Sequence, residues 1–316
     1  MHLLISYAAA LAPGCEAAAR TLALPRLERL LAGMAPAGGD AGDEFTLSPP
    51  HERALARALG LPVEDGRLPW AARSAAADGQ DVAADAWAWV TPCHWQVAPD
   101  HIGMLDPAVL QLSEDESRRL LALVAPYFAE DGMALEFVAP TRWRARGAPL
   151  RGLATASLDR VTGRSIDLWM PDGPEARPLR RLQGEMQMLL YTDPSTDARN
   201  ARGQLAVNAF WFSGTGDWPA GAAADAPGLE MPDDLRAAAL RDDWVAWADG
   251  WRRIDADACA RLAAAVDRGE PATLTLCGER SSLTFRHVPR SGLGRWVHRF
   301  KSISGRLRFP HLREQL

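Results

Sequence analysis

The stretch PLRRLQGEMQMLLYTDPSTDARNARGQLAVNAFWFSGTG, residues 178–216, decides how the chain is read. Leu179, Leu182, Met186, Leu189 and Leu190 recur at three- and four-residue spacing, which puts them on one face of a helix. Asp193-Pro194 stops that helix, because proline lacks the next backbone donor and restricts the residue before it. A polar turn with Asp197, Arg199, Asn200 and Arg202 is expected next, closed by Gly203. Residues 205–212 then read as an apolar strand interrupted by Asn208 and ending in the turn Ser213-Gly214-Thr215-Gly216. A carboxamide on a strand that ends in glycines offers a ligand both a side chain and bare backbone. The plainer reading is that Asn208 pairs with its own backbone.

Working outward, 316 residues are enough to bury one large core or two smaller ones. The composition, 47% apolar and 24% charged, is that of an ordinary globule. The opening MHLLISYAAALAPG lacks the charged start of a signal peptide and reads as a first buried strand. No apolar run is long enough to span a bilayer. Cys15, Cys93, Cys259 and Cys277 are scattered, which fits reduced thiols in a cytoplasmic protein and gives no zinc spacing. Lys301 is the only lysine among 35 Lys and Arg residues, so a Walker A or Schiff-base lysine elsewhere is excluded. Net charge is −5, yet residues 286–316 hold eight Arg or Lys and one acid, Glu314. The body is therefore acidic and the tail basic. Trp296, Phe300, Ile303 and Leu307 make the tail an amphipathic basic helix, able to lie on a membrane surface or a protein partner, with docking on its own acidic body preferred. Nucleic acid is not expected as a partner.

Ahead of the central stretch, residues 2–6 read as a strand, and 16–34 as a helix split by Pro25. Residues 35–44 read as loop. Ser48 is a good N-cap for a helix with Pro49 in its first turn, and an anion or nucleophile at a helix N-terminus is the functional alternative. AWAWVTPCHWQV reads as a buried strand with a turn at Thr91-Pro92. Cys93 and His94 are neighbours on it, so their side chains point to opposite faces, which disfavours a shared metal. SEDE at 113–116 is a capping box opening the clearest helix. Arg142, Arg144 and Arg146 follow a strand over 133–138, and Arg160 and Arg164 lie in a loop read as solvated surface. Residues 217–234 read as linker, 235–267 as helical, and ATLTLCGE as a buried strand ending at Cys277-Gly278.

The central stretch resembles cofactor-independent phosphoglycerate mutases of the archaeal type, members of the alkaline-phosphatase-like superfamily. Pro194, Arg199, Gly203, Asn208, Trp211, Gly214 and Gly216 keep that family's order and spacing, with Asp193 in place of its histidine and Thr196 in place of its asparagine. TLSPPHERAL, TPCHW and LRRLQxEMQMLLY also resemble bacterial proteins described as RpfE-type regulatory or phosphoglycerate-mutase-like. The resemblance implies an alkaline-phosphatase-like α/β core sheet built from both termini, 1–92 and 235–316, with an inserted α+β subdomain and linker at 93–234. It implies a small anionic, phosphorylated metabolite held by Arg199, Arg202, Asn208, Trp211, Gly214 and Gly216. The family's two divalent metals activate a serine that carries the phosphoryl group. Ser48 corresponds to that serine, and manganese or magnesium would be needed only if it is active. The ligands at the strand ends have been replaced: Ser6-Tyr7-Ala8 follows the first strand where the family has an aspartate, and Cys277-Gly278 stands where it has Asp-His. Three readings follow. One is a regulatory relative with a degraded metal site; another is an active mutase or phosphotransferase using Ser48. The last is an interaction module working through the basic tail.

Overall fold

A computed structural model describes residues 1–287, 309, 315 and 316. The chain divides into two compact units, one made of residues 1–44, 49–58 and 226–316, the other of 45–48 and 59–225. Both are mixed α/β.

The first unit has a five-stranded mixed sheet in which residues from both ends of the sequence meet. His2–Ile5 runs parallel to Ala272–Cys277 on one side and to Leu229–Glu230 on the other. Ser281–His287 pairs antiparallel with Ala272–Cys277 and carries Ala35–Ala41 at the sheet edge. The sequence reading has that last segment as loop. Its small, glycine-rich residues bury little, and what makes it a strand is the backbone ladder supplied by Ser281–His287. Leu3, Ile5, Leu274 and Leu276 pack with Leu27, Leu30, Trp247, Trp251 and Leu262 from the helices Pro25–Gly33, Trp244–Ala256 and Ala258–Asp267. Asp255 accepts from the backbone N–H of Leu27 at 2.8 Å and Arg26 at 3.1 Å, so a carboxylate from one helix caps another.

The second unit is built on a four-stranded antiparallel sheet ordered Met133–Ala139, Arg142–Gly147, Trp87–Cys93, Ala209–Gly216. Helices Glu114–Glu130 and Arg177–Thr192 cover one face, burying Leu120, Val124, Phe128, Leu179, Leu182, Met186 and Leu190 against Val90, Trp143, Phe210 and Phe212. Helix Trp70–Ala77 packs Ala71, Ala72 and Ala75 on Trp87 and Trp89 of the other face. The capping box forms as expected: Ser113 accepts from Glu116 N–H, and Glu116 reaches back to Ser113.

Several local expectations change. The segment after Asp193-Pro194 is a helix, Pro194–Ala201, because Asp193 caps it by accepting from Ser195 N–H at 2.8 Å and proline suits the first helical position. The closing glycines are not a turn. Gly214 and Gly216 lie inside the strand, where pairing shifts between Trp87 and Trp89 in a β-bulge. The strand Trp87–Cys93 passes straight through Pro92, because its pairing with Arg142–Gly147 has ended at Val90 and only one neighbour remains. That strand pairs on both sides within the second unit, so the subdomain takes in residues 59–92 as well and ends at 225 instead of 234. Arg160, read as solvated, is buried beside the Trp169 ring. The amphipathic tail with Trp296, Phe300, Ile303 and Leu307, and Lys301 within it, lies outside the described residues. Beyond it Phe309 is buried, its ring 4.8 Å from that of Trp251.

Candidate functional site

The residues assigned to a ligand all fall in the second unit, and each has a partner from its own chain. Arg199, on helix Pro194–Ala201, is 2% exposed. Its Nε donates to Leu205 O at 2.7 Å, one terminal nitrogen donates to Glu116 Oε2 at 3.0 Å, and the other donates to Leu110 O. Arg202 donates to the second Glu116 oxygen at 2.9 Å and to Gln204 at 2.8 Å, with its side chain half-exposed. Glu116 is the last residue of the capping box and the third of its helix, so one carboxylate closes a helix end and binds both arginines. Burial works against its charge. The Ser113 backbone and hydroxyl donors and the Arg199 guanidinium outweigh that, and hold the carboxyl below the usual glutamate range.

Asn208 forms a two-way bridge to one residue: its Oδ1 accepts from Trp95 N–H at 2.7 Å and its Nδ2 donates to Trp95 O at 2.9 Å. The carboxamide thus serves as a ladder rung, fastening the strand Trp95–Val97 where the main sheet stops. Trp211 is fully buried with Cys93, Met104 and Val161, and its indole N–H donates to Ala156 O at 3.1 Å. Gly214 has φ +64°, and a Cβ there would meet the Trp89 ring at 2.7 Å. Gly216 has φ +148°, and a Cβ would sit 2.4 Å from Arg67 O. Both glycines admit neighbouring side chain and backbone that are already in place.

Ser48 is buried. Its hydroxyl accepts from Gly66 N–H at 2.9 Å, and its own N–H donates to Asp65 at 2.8 Å. The following helix starts at Pro50, with Pro49 O accepting from Glu52 and Arg53, so Ser48 stands one residue before the capping position. Asp65 spends its two oxygens on the N–H groups of Leu47 and Ser48. Among the described residues no three His, Cys, Asp or Glu side chains gather in a group able to hold a metal ion. The donor set around Ser48 therefore does not fit the two-metal centre implied by the resemblance.

Cys93 and His94 do not form a catalytic pair. Burial pushes the Cys93 thiol far above its ordinary range, and His94 Nδ1 lies 2.7 Å from Ala206 O. At the strand ends of the first unit, Ser6 is fully buried and the Cys277 thiol is likewise driven up by burial.

No family model matches the sequence, and no curated protein matches it. Among solved structures, the cofactor-independent phosphoglycerate mutase from Thermoplasma acidophilum is similar at 12% identity over 100% of this chain and 98% of that one, with a TM-score of 0.39. The PH0037 protein from Pyrococcus horikoshii is similar at 13% identity over 91% of this chain and 87% of that one, with a TM-score of 0.44. Neither likeness enters the chemistry of the site, which rests on this chain's own contacts.

A polar group that the sequence reading did not assemble lies on the other face of the second unit's sheet. Pairing sets Glu136 opposite Arg144, and Arg144 opposite Trp89; Ala134, Arg146 and Trp87 form the next row. Arg144 is buried and donates to Asp78 at 2.7 Å and Glu136 at 3.0 Å. The Arg142 guanidinium stacks 4.0 Å over the Trp89 ring. The sequence shows both halves, a run of alternating tryptophans and a run of alternating arginines, and only the register joins them.

Proposed function

We propose that the chain is a divergent phosphoglycerate-mutase-like protein, on an alkaline-phosphatase-like frame, that acts by binding in a regulatory role and does not turn substrate over. The observation that carries this reading is the closure of Arg199. An arginine that grips a phosphoryl group needs its planar fork free. This fork is taken by Glu116, Leu110 and Leu205. A phosphoryl-carrying serine needs an accessible, activated oxygen. Ser48 is buried and accepts a backbone N–H, and among the described residues no metal donors gather to activate it. Of the side chains first assigned to an anionic metabolite, Arg202 carries the exposed guanidinium, so any such metabolite meets the stretch there.

The test is turnover. Purified protein with manganese or magnesium and either phosphoglycerate should interconvert them no faster than Ser48→Ala. Turnover that Ser48→Ala abolishes would overturn the reading in favour of an active mutase.

A further inference from the structure

Helix Arg177–Thr192 is apolar on two sides, and only one of them meets the sheet. Leu179, Leu182, Met186 and Leu190 are buried in the core of the second unit. On the outside, Arg177, Arg181, Gly184, Met188 and Tyr191 are all exposed and follow one another at alternating four- and three-residue spacing. That alternation is the seam along which two helices pack. Met188 is 67% exposed and Tyr191 77%. Half-exposed Tyr127 borders the same side, because Arg181 pairs at 2.5 Å with Asp131, one turn beyond it at the end of helix Glu114–Glu130. Tyrosine and methionine gathered on an outer face are the side chains that protein interfaces favour.

The charges around the stripe decide what covers it. Arg177, Arg180 and Arg181 stand on the first half of the helix, and Asp193 and Asp197 stand at and just beyond its end. Arg181 is already held by Asp131 and Glu185, which leaves Arg177 as the outermost cation on the stripe. A uniformly basic occupant, such as this chain's own tail, would meet like charge at the arginine end. An occupant apolar in the middle, acidic at one end and basic at the other fits both ends, and the same helix turned round has that pattern. Setting Gly184 of one copy against Tyr191 of the other overlaps the two apolar stretches. It also carries Arg177 past the other copy's Thr192 to the corner formed by Asp193 and Asp197. We propose that this face docks on a second copy of the chain, with the two helices antiparallel about a twofold axis near Met188 and Arg177 of each copy on Asp197 of the other. The pairing does not depend on whether Ser48 is catalytic.

The experiment is sedimentation of the full chain over a concentration series reaching about 500 μM. A seam of this kind is small for an interface, so dimerisation is expected with a Kd of about 10 μM. Tyr191→Glu, an exposed change that spares the fold, should weaken it about tenfold or more. Arg177→Glu and Asp197→Lys should each weaken it about tenfold, and the two combined in one chain should restore it. A short bis-maleimide should join Met188→Cys copies and leave Leu168→Cys copies, changed at a site 68% exposed in the same unit, unjoined, since all four native cysteines are buried. A chain that stays monomeric throughout, leaving the face to a different protein, would overturn the proposal. So would a dimer indifferent to Tyr191→Glu, or one that the exchange of charges fails to restore.

Discussion

Arg199 donates to Glu116 at 3.0 Å across 83 positions of sequence, tying the helix that follows Asp193-Pro194 to the capping box of helix Glu114–Glu130. The side chain best suited to hold a ligand's anion thus holds the protein's own.

The two arginines on Glu116 should separate sharply by stability. Arg199→Ala strands two backbone carbonyls and takes one charged partner from the partly buried Glu116 carboxylate, and should cost about 3 kcal/mol. Arg202→Ala removes a half-exposed pair and should cost about 0.5 kcal/mol. Urea denaturation of both variants reads the difference. Equal small losses would show that Arg199 is not a fold-holding group.

Gly216→Ala should destabilise by about 2 kcal/mol or more, because its φ of +148° and the approach of Arg67 O leave no room for a Cβ. Gly184→Ala, in helix Arg177–Thr192 with nothing within 4 Å, should stabilise by about 0.5–1 kcal/mol. Thermal melts of the pair check both signs.

His2 sets one acid limb of stability. Burial, then the Arg286 charge, then the N-terminal ammonium lower its pKa from 6.5 to about 4. A histidine held neutral in the fold binds fewer protons than in the unfolded chain between those values. Its contribution is complete above about pH 6.5 and is lost as pH falls towards 4. Denaturation midpoints over that window should fall in the wild type and fall less in His2→Gln. Parallel slopes would refute the assignment.

All four cysteines are buried, and burial, followed by Asp255, pushes the Cys259 thiol up to about 12. A thiol reagent at neutral pH should find no reactive group in native protein and four after unfolding. Prompt reaction of a native thiol would show an open route to one of them.

Much of the fold is visible in local chemistry. SEDE announces its helix because both halves of the capping box lie within four residues, and Leu179, Leu182, Met186 and Leu190 announce theirs by spacing. Long-range pairing is what local pattern does not carry. Ala35–Ala41 becomes a strand through Ser281–His287, and Pro92 stays in a strand because one neighbour has already ended. The same gap affects the site. Arg199, Asn208 and Trp211 have the composition of a ligand wall, but Glu116, Trp95 and Ala156, which satisfy them, lie tens of residues away. Trp87 and Arg144 were visible individually, and their shared sheet face depends on strand register.

The coupling between Glu116 and Arg199 tests the central claim most directly. A double-mutant cycle of Glu116→Ala, Arg199→Ala and the double variant, measured by urea denaturation, isolates their interaction from the cost of each truncation. A coupling of about 1.5–3 kcal/mol is predicted, as for a hydrogen bond between charged groups. A coupling near zero would contradict the account, leaving the Arg199 guanidinium available to a ligand.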